Sequence, residues 1–185
     1  MIKPEIRVIG IDDGKFVPRK KGSVIIVGVV FRGGCSLEGV MHAHVIVDGF
    51  DATEQISIMI RTSTHDKQLR LIMLNGITFG GFNVVDLKKL HSQTKLPVLA
   101  LASKKPGLDA IHTAINQMSQ SEKRWALILK AGAIHEIMCK GKKLYMETEG
   151  ISLSDAQEIV ELTATRSSLP EPLRVAHLIA SGVSP

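Results

Sequence analysis

LRLIMLNGITFGGFNVVDLKKLHSQTKLPVLALASKK, residues 69–105, is the stretch whose reading decides the fold. Its two ends, LRLIMLNG and LPVLALASKK, are short aliphatic runs of the kind that form fully buried strands. The first is closed by Asn75-Gly76 and the second opens on Pro97. Between them, GFNVVDLKKLHSQT carries its apolar residues at helical spacing. A strand, a helix and a strand in succession predict a parallel pair joined by a right-handed crossover.

Upstream of this unit lie three β-type stretches, Ile6–Ile11, Ser23–Arg32 and Gly39–Val47, joined by short glycine-containing connections that predict an antiparallel meander. DATEQISIMIRT follows, with Asp51 as N-cap and Glu54 three residues later in a capping-box arrangement, and Ile56, Met59 and Ile60 at helical spacing. Downstream, residues Leu108–Met118 and Ser121–Ala131 read as helices, and IHEIMCKGKKLYMETEG reads as a hairpin turning at Lys140-Gly141-Lys142. A helix capped by Ser152 or Ser154 comes next, then a proline-started helix in LPEPLRVAHLIASG that Gly182 ends. The expectation is one α/β domain over residues 1–185, a mixed sheet in which an antiparallel three-strand meander precedes parallel strands, with flanking helices.

The 185 residues are enough for a substantial core, and 44% hydrophobic with 22% charged residues is ordinary for a soluble globular chain. No apolar run approaches the roughly 20 residues of a membrane span, and the first residues lack a signal-peptide pattern, so no membrane is expected and the chain is placed in the cytoplasm. Cys35 and Cys139 have no CxxC spacing, which argues against a zinc site. A net charge of +5 and a pI near 9.3 allow an anionic partner. Only 4% of residues are aromatic, which disfavours a base-stacking platform. Nothing in the sequence fixes an oligomeric state.

An open sheet gathers the carboxyl ends of its parallel strands at one edge, where ligands bind. Asp12 and Asp13 end the first strand, Asp48 the third and Asn75 the fourth, while Glu54 lies in the first turn of the helix after Asp48. Two or three such oxygen donors suffice for Mg²⁺, which keeps several waters. Each has a plainer reading: Asp12-Asp13 as a turn pair, Asp51 and Glu54 as a capping box, Asp86 as a solvated helix residue. Lys104, after LPVLALAS, is either a phosphate contact or a solvated strand-end lysine. His177, His42 and His44 are either ligands or hydrogen-bonded structural histidines.

VIGIDDG, VIVDGFDATEQI, LNGITFGGFNVVD, LPVLALASKKP and LPEPLRVAHLIA, in this order over nearly the whole chain, together resemble the endonuclease dU family. That family is similar in turn to endonuclease V, a metal-dependent nuclease of ribonuclease H-like fold that acts at deaminated bases. The resemblance implies a ribonuclease H-like fold, Mg²⁺ or Mn²⁺ as cofactor, and DNA or else RNA as partner. The GxD aspartate of endonuclease V falls on Asp12, its helix-start glutamate on Glu54, and its DGxGI aspartate on Asn75 in NGI. Its strand-end lysine falls on Lys104, and the closing PEPxRxA segment brings His177. Asn75 is a departure, since it puts a neutral amide where that family has a carboxylate; Asp13, Asp48, Asp51 and Asp86 are the acidic residues available to compensate. No PYxP wedge is present, and Asp13-Gly14-Lys15-Phe16 occupies the comparable loop.

Three functions follow. The first is a metal-dependent endonuclease on DNA containing a deaminated base, above all uracil, with Asp12, Glu54 and Asn75 holding metal, Lys104 on phosphate and His177 assisting. The second is the same chemistry on RNA. The third is a nucleic-acid-binding protein in which Asn75 marks lost catalysis.

Overall fold

The computed structural model describes residues 2–184; Met1 and Pro185, the two ends of the domain expected over 1–185, lie outside the described residues. The strands are β1 (Arg7–Asp13), β2 (Ser23–Arg32), β3 (Ser36–Ile46), β4 (Leu71–Asn75), β5 (Thr78–Phe79), β6 (Asn83–Val84), β7 (Val98–Ala102), β8 (His135–Cys139) and β9 (Lys142–Glu149). The helices are α1 (Ala52–Arg61), α2 (Leu87–Thr94), α3 (Leu108–Ile115), α4 (Ser121–Lys130), α5 (Leu153–Thr163) and α6 (Glu171–Val183). Seven strands form one mixed sheet in the order β3-β2-β1-β4-β7-β9-β8. The β1–β2 and β2–β3 pairs are antiparallel, β1–β4 and β4–β7 are parallel, and β7–β9 and β8–β9 are antiparallel. The meander, the parallel centre and the closing hairpin are thus where the sequence pattern puts them.

Period-2 alternation along β1 sorts its side chains between two layers. Ile9 and Ile11 join Ile56 and Ile60 of α1 and Leu87 and Leu90 of α2 in one core. Val8 joins Met73, Leu99 and Leu101 with Ile159 and Val160 of α5 and Leu173 of α6 on the other face. On that second face, α6 also lays Ala176 and Ala180 against Val27 and Val29. Burying each such aliphatic side chain contributes about 1.5–3 kcal/mol. Asp12 follows the parity of Val8 and faces α6, whereas Asp13 follows Ile9 and Ile11 toward α1 and α2.

Local differences from the sequence reading have identifiable causes. GFNVVDLKKLHSQT is not helical throughout: Gly80 and Gly81 both take positive φ, so the chain reverses there and β5 and β6 pair as a small hairpin. The helix starts only after Asp86, whose side chain accepts from the Lys89 amide. The capping box at α1 does not form. Asp51 occupies the N-cap, but its carboxylate accepts from the Ile46 amide and Asn83 Nδ2, and the Ala52 amide is satisfied by Asn83 Oδ1 from 31 residues away. β3 begins before Gly39, the pairing with β2 being kept by a register shift at Val30/Phe31. Helix α3 stops at Ile115, short of Met118, and α6 runs through Gly182 to Val183.

Candidate active site

The edge where β1 and β4 end is built by a close approach. Gly10 has no side chain, and a Cβ there would fall on the backbone of Pro172 in the first turn of α6. From Gly10 to Asp12 β1 rises about 6.8 Å, and from Pro172 to His177 the helix rises about 7.5 Å. The two advances match, so the glycine contact carries His177 to the level of Asp12. His177 Nδ1 lies 2.8 Å from Asp12 Oδ2, and Asn75 Nδ2 donates to the same oxygen at 3.0 Å. The second oxygen, Oδ1, accepts from the Asp13 amide at 2.9 Å.

Burial dominates the electrostatics of Asp12, whose side chain is only 5% exposed while that of His177 is 59% exposed. Desolvation raises the Asp12 carboxyl above its ordinary range, and the contacts from Asn75, the Asp13 amide and His177 oppose that rise without cancelling it. Asp13, on the opposite face, accepts from the Gly80 amide at 2.6 Å. Desolvation, with the neighbouring Asp12 charge adding to it, lifts its pKa to about 6.

The structure therefore brings Asp12, Asn75 and His177 together and leaves other expected residues elsewhere. Glu54 is exposed on α1, where its carboxylate accepts from Gln93 at 2.9 Å and pairs with Lys89 at 3.4 Å; these two contacts hold its pKa below the usual range. No hydrogen bond joins it to Asp12, Asn75 or His177 among the described residues. Lys104 stands two residues past β7 on the wall of a cavity that also touches Gly76, next to Asn75. The acidic residues available to compensate for Asn75 have other work. Asp48 accepts from the Phe82 amide, Asp51 ties β3 to Asn83, and Asp86 caps α2 and pairs with Lys130 at 2.6 Å. His42 and His44 are exposed on β3.

Among the described residues no three His, Cys, Asp or Glu side chains form a group able to hold a metal ion. The Asp12 corner still fits a divalent cation. It presents a desolvated carboxylate, an amide that offers its oxygen when turned end for end, and an imidazole nitrogen. This O, O, N set suits Mn²⁺, and Mg²⁺ with waters completing its shell. A cation there would relieve the desolvation that now raises Asp12.

Two buried polar residues escape a reading of the sequence. Arg124, 2% exposed, donates to the backbone oxygens of Asp48, Gly49 and Phe82 and so fixes the turn before α1 against the β5–β6 hairpin. Glu147, 6% exposed, faces the cavity that Lys104 lines. The sequence signal for Glu147 is faint: one of two glutamates in KKLYMETE, on a strand whose partner β7 is wholly apolar.

Comparison with known proteins shows the family and the fold. The sequence model of the family described as Endonuclease dU matches residues 4–184. A relative from Methanosarcina acetivorans, named only UPF0215 protein, is 49% identical over 184 residues, covering 98% of this chain and 92% of its own. A solved protein of unknown function from Archaeoglobus fulgidus superposes with a TM-score of 0.88 at 35% identity, covering 96% of this chain and 98% of that one. Endonuclease V from Bacillus subtilis superposes at 0.62 with 14% identity, over 97% of this chain and 81% of that one. Endonuclease V of Ciona intestinalis, solved in complex with a 24mer DNA containing an inosine followed by a ribo-adenosine, gives 0.58 at 15%, over 92% and 82%. The last two likenesses establish a shared fold.

Proposed function

The chain belongs to the endonuclease dU family, and from that membership we propose that it is a divalent-metal-dependent endonuclease that cuts DNA at deaminated bases, uracil first among them. The observation that carries this reading is the triple contact on Asp12: a buried carboxylate at the end of a parallel strand, with Asn75 and His177 on one of its oxygens. Asp12, Asn75 and His177 are the residues that would hold Mg²⁺ or Mn²⁺. When bound, the cation supplies Lewis-acid stabilisation of the phosphoryl oxygen and lowers the pKa of a coordinated water. Glu54, the remaining ligand expected from the resemblance, is assigned a role only if its replacement removes activity.

Lysines on two loops suit contact with phosphates. The loop after β1 presents Lys15, Lys20 and Lys21 around an open depression, and Lys104 stands beyond β7. Such lysines neutralise backbone phosphates without reading sequence. The two unpaired thiols, Cys35 and Cys139, agree with a reducing, cytoplasmic setting.

Purified protein incubated with uracil-containing and matched thymine duplexes, with Mg²⁺ and with chelator, tests the reading. Metal-dependent nicking of the uracil strand is the expected result. No nicking above that of the Asp12→Ala variant would overturn it. RNA strands run in parallel decide between the two nucleic acids. A second reading, a nucleic-acid-binding protein without catalysis, is favoured by the amide at Asn75; calorimetric titration showing no specific Mg²⁺ or Mn²⁺ uptake would establish it in place of the first.

A further inference from the structure

At the ends of β4 and β7, on the sheet face opposite the one Asp12 points to, lies a cavity of about 320 Å³, bounded also by α3, α4 and β9. Its walls are mostly apolar, among them Phe82, Ile111 and Ile128, with Thr78, Lys104 and Lys105 also on them. Glu147 is its one acidic side chain. Glu147 sits opposite Ala100 of β7, on the face of β9 away from Leu144 and Met146, which belong to the α5 core. Its residue surface is only 6% exposed, and no hydrogen bond or ion pair among the described residues reaches its carboxyl. Desolvation is the whole cause of its displaced pKa, which rises to about 7, so Lys104 and Lys105 on the same wall do not neutralise it.

A buried, unpartnered acid costs stability and is found where a ligand completes its hydrogen bonds. The cavity volume falls at the small end of ligand sites, about 300–1,000 Å³, and matches one flat ring system rather than a stretch of duplex. Mostly apolar walls that sandwich a ring, with one acidic group at its edge, suit a base taken out of the stack. Gly76, on the cavity wall, directly follows Asn75, so the cavity and the Asp12 corner adjoin at the end of β4.

We propose that Glu147 reads the substrate base: its carboxyl group hydrogen-bonds the edge of a nucleobase seated in this cavity. This rests on the nuclease reading above and deepens it by naming a specificity residue. A protonated carboxyl offers one O–H donor next to one C=O acceptor, which pairs with an N–H beside a C=O. Uracil and hypoxanthine carry that edge and their parents cytosine and adenine do not, so the contact separates a deaminated base from its parent; thymine and guanine share it. Lys104, at the mouth, is left to the phosphate.

The test uses the Asp12→Ala chain, so that binding is read without cleavage, and duplexes carrying one uracil, one hypoxanthine or one tetrahydrofuran abasic site. Dissociation constants from fluorescence anisotropy give the preference for a base over the abasic site. Adding Glu147→Leu is expected to cut that preference about tenfold or more, the worth of one bidentate base contact. Adding Glu147→Gln, which keeps a donor beside an acceptor, is expected to retain it within about threefold, and this isosteric variant shows that any loss in the leucine chain is chemical rather than a folding defect. An unchanged preference in Glu147→Leu, or no preference in the Asp12→Ala chain, overturns the proposal. Failure of the Asp12-intact chain to nick uracil DNA overturns the nuclease reading instead, and leaves a Glu147-dependent binding preference standing.

Discussion

Asp12 and Glu147 are two carboxyl groups buried in the same sheet, and desolvation pushes both above their ordinary range. Their surroundings differ. Asp12 has three nitrogen contacts on its two oxygens, from Asn75, His177 and the Asp13 backbone. Glu147 has mostly apolar walls and none. Burial with oriented partners prepares a carboxylate to hold a charge, whereas burial without them keeps an acid neutral. On the proposed function, the first environment suits a cation and the second an uncharged hydrogen-bonding acid.

The comparison breaks most readily at Asp12. Asp12→Ala should lower metal-dependent nicking on the order of 10³-fold, since the anchoring oxygen of a metal site has no substitute in that corner; a loss below about tenfold would move the cation elsewhere. At Glu147 the expected effect is on stability and has a definite sign. The folded pKa of about 7 lies above the ordinary 4.5, so between those values the native state keeps a proton that the unfolded chain has lost. Stability contributed by this group is therefore full below about pH 4.5 and lost as pH rises through 7, by about 3 kcal/mol in all. Denaturant melts at pH 5 and pH 8 should show Glu147→Gln gaining on the natural chain by about 2.5 kcal/mol at the higher pH, part of the loss having occurred below pH 5. Parallel curves for the two chains would remove the contrast with Asp12.

His177→Ala, which takes one donor from the proposed cation corner and leaves Asp12 and Asn75, should reduce nicking about 10- to 100-fold, with little change in melting because the ring is largely exposed. The smallest effect belongs to Glu54. Its carboxylate is on the surface with Lys89 and Gln93, so Glu54→Ala should leave both melting and nicking nearly unchanged. A hundredfold loss of nicking would show that Glu54 leaves those partners for the Asp12 corner in the working enzyme.

The topology was legible because it rests on patterns that a short window contains: aliphatic runs for β4 and β7, glycine turns for the meander, a proline start for α6. The place of Asp12 at a strand end was legible for the same reason, but its spacing alone also allowed a turn, and its pairing with His177 was suggested only by the resemblance to endonuclease V. Two kinds of feature were not legible. Phe82, Val84 and Val85 mimic helical spacing, and only the positive φ of Gly80 and Gly81 turns that run into a hairpin. The rest depended on contacts across long separations. Asn83 takes the cap at α1 that a local reading assigns to Asp51 and Glu54. Glu147 reads as one polar residue of a surface hairpin until α3 and α4 close the cavity over it.

A Mg²⁺ titration of the chain labelled with ¹³C at its Asp and Glu carboxyls, followed by NMR, puts both corners under one measurement. The account predicts that the Asp12 resonance moves on adding Mg²⁺ while the Glu147 resonance stays. An Asp12 resonance that does not respond, or a Glu147 resonance that moves with it, would contradict it.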